Sequence, residues 1–229
     1  MLNAKQFSEI HPELWKGLHG LLNSKLKSFP CLYAISSFNK GAMYFGVSIE
    51  KIVLENIAND LKEMSVLLNS ERDDKAKTLN TYVHVVKNMD VENVKLFLIN
   101  LFQELHNIDE IEWLENATKD MNSPDFKFCF NGQLWFPVLL TPDHPTAIRC
   151  CPYTIIAFQP SVTFDHNKQI KPEFFQRMRS STHRRIDDYY HEGRPYYLSE
   201  KSSGKNIIQF IGVDLSEFDD SYKYPDIGD

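Results

Sequence analysis

The chain has 229 residues, 42% hydrophobic and 13% aromatic, which is enough for a substantial core and unlike a disordered segment. Its net charge of −6 gives no electrostatic reason to bind nucleic acid, and no apolar run approaches the roughly 20 residues of a membrane helix. The amino terminus lacks the apolar stretch of a signal peptide, and Cys31, Cys129, Cys150 and Cys151 show no CxxC spacing, which points to a reduced, cytoplasmic setting without a zinc knuckle.

Pro12 to Lys27 sets Leu14, Trp15, Leu18, Leu22 and Leu26 at helical spacing. Phe29-Pro30-Cys31 opens the first expected strand, which runs to Ile35. Asn39-Lys40-Gly41 then turns it into Met43 to Ile49, an amino-terminal hairpin. Ile52 to Leu68 predicts a helix with Val53, Ile57, Leu61, Met64 and Leu68 on one face. Beyond a charged connection, Glu71 to Lys77, Thr81 to Val86 alternates as a strand and carries His84. Val91 to Leu105 predicts another helix, with Asp90 as its N-cap and His106 near its carboxyl end. Asp109 to Asn122 reads as a loop or short helix around Trp113.

The centre of the chain is Phe126 to Pro160. Phe126, Phe128 and Phe130 alternate with Lys127 and Cys129, and Asn131-Gly132 suits a tight hairpin. Leu134 to Leu140 returns as a strand apolar enough to be covered on both faces, with Pro137 at a bulge or edge. Thr141 to Pro145 then makes a rigid polar corner holding Asp143, His144 and Arg149, before a third strand from Tyr153 to Phe158. Pro172 starts a helix whose apolar arc holds Phe175, Met178, Thr182, Ile186 and Tyr189, with Arg179 inside it. An arginine there needs an anionic partner. Ser202 to Lys205 turns into a last strand, Ile207 to Val213, followed by a loosely docked acidic tail from Ser216. The fold class is α+β, one domain over residues 1–229, with a mixed, largely antiparallel sheet flanked by helices.

Phe29-Pro30-Cys31, Leu105-His106 with Asp109 and Trp113, Phe128 to Gly132, Thr141 to His144, Arg149 and Phe158-Gln159-Pro160 together resemble the YqcI/YcgG family, from about Pro12 to Gly212. The resemblance implies an oxygenase carrying haem b that hydroxylates a nitrogen of a small amino-acid-like or guanidine substrate. Dioxygen and a separate electron donor complete the reaction, since the chain has no reductase segment. It also implies His144 as the proximal iron ligand and catalytic residue, and Arg149 as partner of a haem propionate. Ala147 and Ile148 stand where relatives carry serines, and Ser199 to Lys205 matches a glycine-rich motif only loosely. A non-catalytic haem or gas-binding protein, and a haem-free binding module, are therefore the alternatives.

The residues themselves weigh as follows. A haem iron takes a neutral imidazole oriented through its other nitrogen, and the His144-Pro145 bond keeps that histidine out of helical space. The plainer alternative is a turn histidine. His106 competes as ligand, although its place at a helix end equally serves the dipole. Cys31 is a third donor, as a thiolate, set against the role of a small buried hydrophobe. Arg149 and Arg179 are the arginines expected indoors, paired with propionates or with an internal acid. Phe128, Phe130, Trp135, Phe136 and Phe158 either line a porphyrin or fill the core. His84, Cys150 and Cys151 read as structural. His166, His183, His191 and Arg184-Arg185 read as solvated, and a homodimer is left open.

Overall fold

The central hairpin sets the sheet. In a computed structural model of the chain, which describes residues 1–23, 29–70, 80–190, 198, 205–212 and 223–228, Asn131 and Gly132 both take positive φ, 51° and 67°. Two left-handed residues make the turn that matches strand twist. They fold β4 (Phe128–Phe130) onto β5 (Gln133–Leu140) in the register Phe128↔Trp135. β4 stops there, so Pro137 lies where β5 has a free edge and a missing N–H breaks no ladder bond on that side. β6 (Thr154–Pro160) pairs antiparallel along the opposite side of β5.

β1 (Leu2–Asn3), β2 (Met43–Ser48) and β3 (Thr81–Val86) complete a six-stranded sheet in the order β1-β2-β3-β6-β5-β4. Only β2 and β3 run parallel, joined by the crossover helix α4 (Leu54–Ser70), so the sheet is mixed and largely antiparallel. Among the described residues the remaining helices are α1 (Ala4–Ile10), α2 (Pro12–Leu22), α3 (Leu32–Asn39), α5 (Val94–Asn107), α6 (Ser161–Ile170), α7 (Pro172–Tyr189) and α8 (Asn206–Ile211).

Strand alternation sorts the core into two layers. Tyr82, Trp135, Leu139, Ile156 and Phe158 pack against Ile57 and Leu61 of α4, Leu98 and Phe102 of α5, and Ile207 and Phe210 of α8. Their neighbours Val83, Val85, Leu140 and Ile155 point the other way, to Phe7, Leu14, Leu18 and Phe38 of α1, α2 and α3. A one-residue slip in any strand would exchange the two sets.

Several expectations are corrected. Leu32 to Asn39 is helical, not a strand, because the Cys31 sulfur accepts the Ala34 N–H at 3.5 Å as N-cap and the buried Tyr33, Ser37 and Phe38 fall on one helical face. No amino-terminal hairpin therefore forms, and Met43–Ser48 pairs instead with β1 and β3. Ile207 to Ile211 is a helix as well, ended by Gly212 at φ 78°. Asn93, not Asp90, caps α5, accepting the Leu96 N–H at 3.0 Å. Asp109 to Asn122 is a loop, one of its two expected forms, whereas Val53 stands before α4, 38% exposed. Leu134, Phe136 and Val138 are half-exposed, so one face of β5 is sealed rather than both. Tyr224 and Ile227 dock the end of the tail into the core. The expected end of the first helix at Lys27, Glu71 to Lys77, Ser202 to Gly204, Val213, the tail from 216 to 222 and His191 lie outside the described residues, as does the side chain of His166.

Candidate functional site

After β5 the chain turns at Thr141 and comes back through a 3-10 turn, Ala147–Arg149. Thr141 N–H donates to Arg149 O at 3.3 Å, and Cys151 N–H donates to Thr141 O at 3.2 Å, closing the corner. Three of its side chains grip the carboxyl end of α8. His144 Nε2 donates to Ile211 O at 3.0 Å and Thr146 Oγ1 donates to Gly212 O at 2.5 Å. Arg149 donates to Leu139 O at 3.2 Å, Phe210 O at 3.4 Å and Gln209 O at 2.6 Å. The last carbonyls of a helix have no partner within it and carry partial negative charge. The corner supplies what they lack.

That grip fixes the state of His144. The Ile211 carbonyl can only accept, and the Thr146 N–H that reaches Nδ1 at 3.0 Å can only donate. The ring is therefore the Nε2–H tautomer with neither nitrogen free. Burial, then Arg149, pushes its pKa down to about 4. His144 is 3% exposed, while Asp143 is exposed and takes no part in orienting it.

Beside the corner lies a cavity of about 360 Å³. Its floor is the side of the sheet that carries Phe136, Val138, Leu140 and Gln159. Phe29, Pro30, Cys31 and Tyr33 form one wall, and Phe164 of α6 with Phe175, Arg179 and His183 of α7 form the other. Arg185 donates to Phe29 O at 3.1 Å and ties α7 to that first wall, so it is not a solvated residue. Burial raises the Cys31 pKa, against the N–H groups of Ala34 and Tyr33 and the nearby Arg149, which pull it down. The Tyr33 hydroxyl is buried without a hydrogen-bond partner among the described residues. No Asp or Glu lines the cavity among the described residues.

Arg179 is not indoors. α7 buries only Ile186, and Arg179 is exposed at the cavity, with no hydrogen bond or ion pair among the described residues. His183, expected in solvent, is half-buried in the cavity wall. His106 sits elsewhere, beside Trp113 and Asp109, accepting from Lys119 Nζ at 3.4 Å; burial, then Lys119, lowers its pKa. Phe128 and Phe158 are fully buried on the sealed face, Phe128 stacked on Phe102 at 4.5 Å, and neither lines the cavity. Of the aromatic residues expected to line a cofactor, Phe136 does.

Sequence reading also missed a polar chain under α4. Ser48 Oγ donates to His84 Nε2 at 2.9 Å, His84 Nδ1 donates to the Tyr82 oxygen at 2.8 Å, and Tyr82 donates to Asp60 at 2.8 Å. This is the tautomer that satisfies all three bonds at once. Burial takes the His84 pKa down to about 4, with Asp60 opposing. The four residues come from three elements, so no local spacing announces them. Among the described residues no three of His, Cys, Asp and Glu come together as a metal centre, and no helix is long and apolar enough to cross a membrane.

The YqcI/YcgG family model matches residues 18–201, most of the chain. The chain is also similar to a Bacillus subtilis (strain 168) protein described as uncharacterized protein YcgG. The two are 28% identical over 82 residues, which covers 35% of this chain and 32% of the relative. The chain thus matches about a third of the length of that relative. No solved structure matches.

Proposed function

The chain belongs to the YqcI/YcgG family, and from that premise we propose that it is a haem-dependent oxygenase acting on a nitrogen of a small amino-acid-like or guanidine substrate, with electrons from a separate donor. The observation that supports this reading is the cavity, where a sulfur donor stands in an aromatic, apolar wall and Arg179 has no partner among the described residues. Its volume of about 360 Å³ is in the range of small-molecule sites. The sulfur donor fits the group, since thiolate is an established ligand of haem iron.

Haem, when bound, would supply the dioxygen and electron chemistry. The rest falls to the chain. Cys31 would be the residue that holds the iron, and the Ala34 and Tyr33 N–H groups would partly offset the burial that opposes its thiolate. Phe29, Phe136, Phe164 and Phe175 would keep water out, and Arg179 would stay at the margin with its guanidinium available to the substrate. His144 would first have to release Ile211 O, so Cys31 is the ligand in this proposal, and Arg149 holds the corner instead of a propionate.

The test is the absorption spectrum of the protein as expressed and after haem addition. A Soret band is expected, lost or shifted in Cys31→Ser and kept in His144→Gln once circular dichroism shows that variant folded. Oxygen consumption with arginine, simple guanidines and amino acids then tests turnover. A Soret band without turnover would make this a haem or gas-binding protein. A protein that stays colourless would favour a haem-free binding module, a reading supported by the commitment of His144 and Arg149 to backbone carbonyls.

A further inference from the structure

We infer that the cavity beside α3 recognises its organic ligand through a carboxylate set against Arg179, and that it refuses ligands of net positive charge. The inference refines the oxygenase reading and, on that reading, makes the substrate a carboxylate-bearing molecule with an apolar body rather than a free guanidine or amine.

The sign of the wall carries it. The chain has 31 acidic and 25 basic residues, yet the ionisable side chains around this cavity are Arg149, Arg179, His183, Cys31 and Tyr33, with no carboxylate among the described residues. A guanidinium or ammonium entering here would leave water for a wall that offers it no carboxylate among the described residues. Desolvating a charge without a partner costs several kcal/mol, about the whole affinity of a small ligand. A carboxylate meets the opposite situation. Arg179 is exposed and holds no hydrogen bond or ion pair among the described residues, so no internal contact has to break before its planar fork takes two carboxylate oxygens. The ligand's apolar part then lies against Phe29, Phe136, Phe164 and Phe175. Arg149 stays on its three carbonyls, so Arg179 is the arginine left to meet the ligand.

Calorimetric titration of the full chain with 4-phenylbutyrate, 4-phenylbutylamine and 4-phenylbutylguanidine tests this, because the three probes share one apolar body. The carboxylate is expected to bind at least about tenfold more tightly than either cation, the scale of one charge-assisted contact. Arg179→Gln should weaken the carboxylate about tenfold and leave the amine unchanged, and Arg179→Glu should reverse the preference. Arg179 is exposed, so both variants keep the fold. Equal or tighter binding of a cation, a carboxylate affinity indifferent to Arg179, or no binding by any probe would overturn the inference. Carboxylate preference in a protein that shows no Soret band would sink the oxygenase reading and uphold this one. A Soret band with the guanidine preferred would do the opposite.

Discussion

On one face of the sheet Trp135, Leu139 and Phe158 meet α4, α5 and α8 with no surface left to solvent; on the other, Phe136, Val138 and Gln159 look into a cavity of about 360 Å³. Both faces come from the same strands, so the difference lies in what covers them. α4 and α5 each bring a row of six buried residues, whereas α7, the longest helix among the described residues, fully buries Ile186 alone. Each side also keeps one neutral, buried histidine. His84 is held by side chains in a relay ending at Asp60, and His144 by the main chain of α8. The sealed face is where the stability resides, and the covered-but-open face is where a ligand has room.

The sharpest way to break this comparison is truncation on each face. Phe158→Ala should cost about 3–5 kcal/mol in urea unfolding, as deletions of a fully buried ring do. Phe175→Ala, half-exposed at the cavity, should cost about 1 kcal/mol or less. Equal losses would mean that both faces are packed alike. The histidines come next. Each has a folded-state pKa of about 4 against 6.5 for the free residue. Between those values the unfolded chain binds more protons, so stability is complete above pH 6.5 and falls as pH drops toward 4. The loss is on the order of 3 kcal/mol per histidine. Urea midpoints at neutral and acid pH should show a steep drop, reduced in His84→Gln and in His144→Gln. A slope unchanged in both variants would assign the acid sensitivity to other groups. The smallest contrast uses two glycines. A side chain at Gly46 would collide with Asp60, Tyr82 and His84, whereas nothing lies near a Cβ at Gly20 on α2. Gly46→Ala should cost about 1–3 kcal/mol, and Gly20→Ala should add about 0.5–1 kcal/mol, both read from thermal melts.

The parts legible from sequence were those whose causes are local. Asn131-Gly132 dictates its own hairpin, and the row Ile57, Leu61, Met64, Leu68 repeats at helical spacing whatever it packs against. Leu32 to Asn39 and Ile207 to Ile211 misled because their aromatic and β-branched residues favour strands. Their helices depend on contacts the local pattern does not contain: burial under α2 and the sheet for α3, and carbonyl partners about sixty residues away for α8. The corner was recognised as rigid and polar for its prolines, but its target was invisible, so His144 and Arg149 read as chemistry where the fold uses them as donors to a helix end. Arg179 lay on the expected arc yet faces water, because α7 is only lightly covered. Tyr33, Phe164 and Gln209 carried no signal at all, since a cavity is a property of assembled elements.

The hold of the corner on α8 makes one mechanical joint of two pieces far apart in the chain. A polypeptide ending before Asn206 would strip His144, Thr146 and Arg149 of four acceptor oxygens together, Gln209, Phe210, Ile211 and Gly212. A single chain break between Tyr190 and Lys205 should therefore leave the fragments associated, while deletion of the helix should release the arginine and take the adjoining cavity with it.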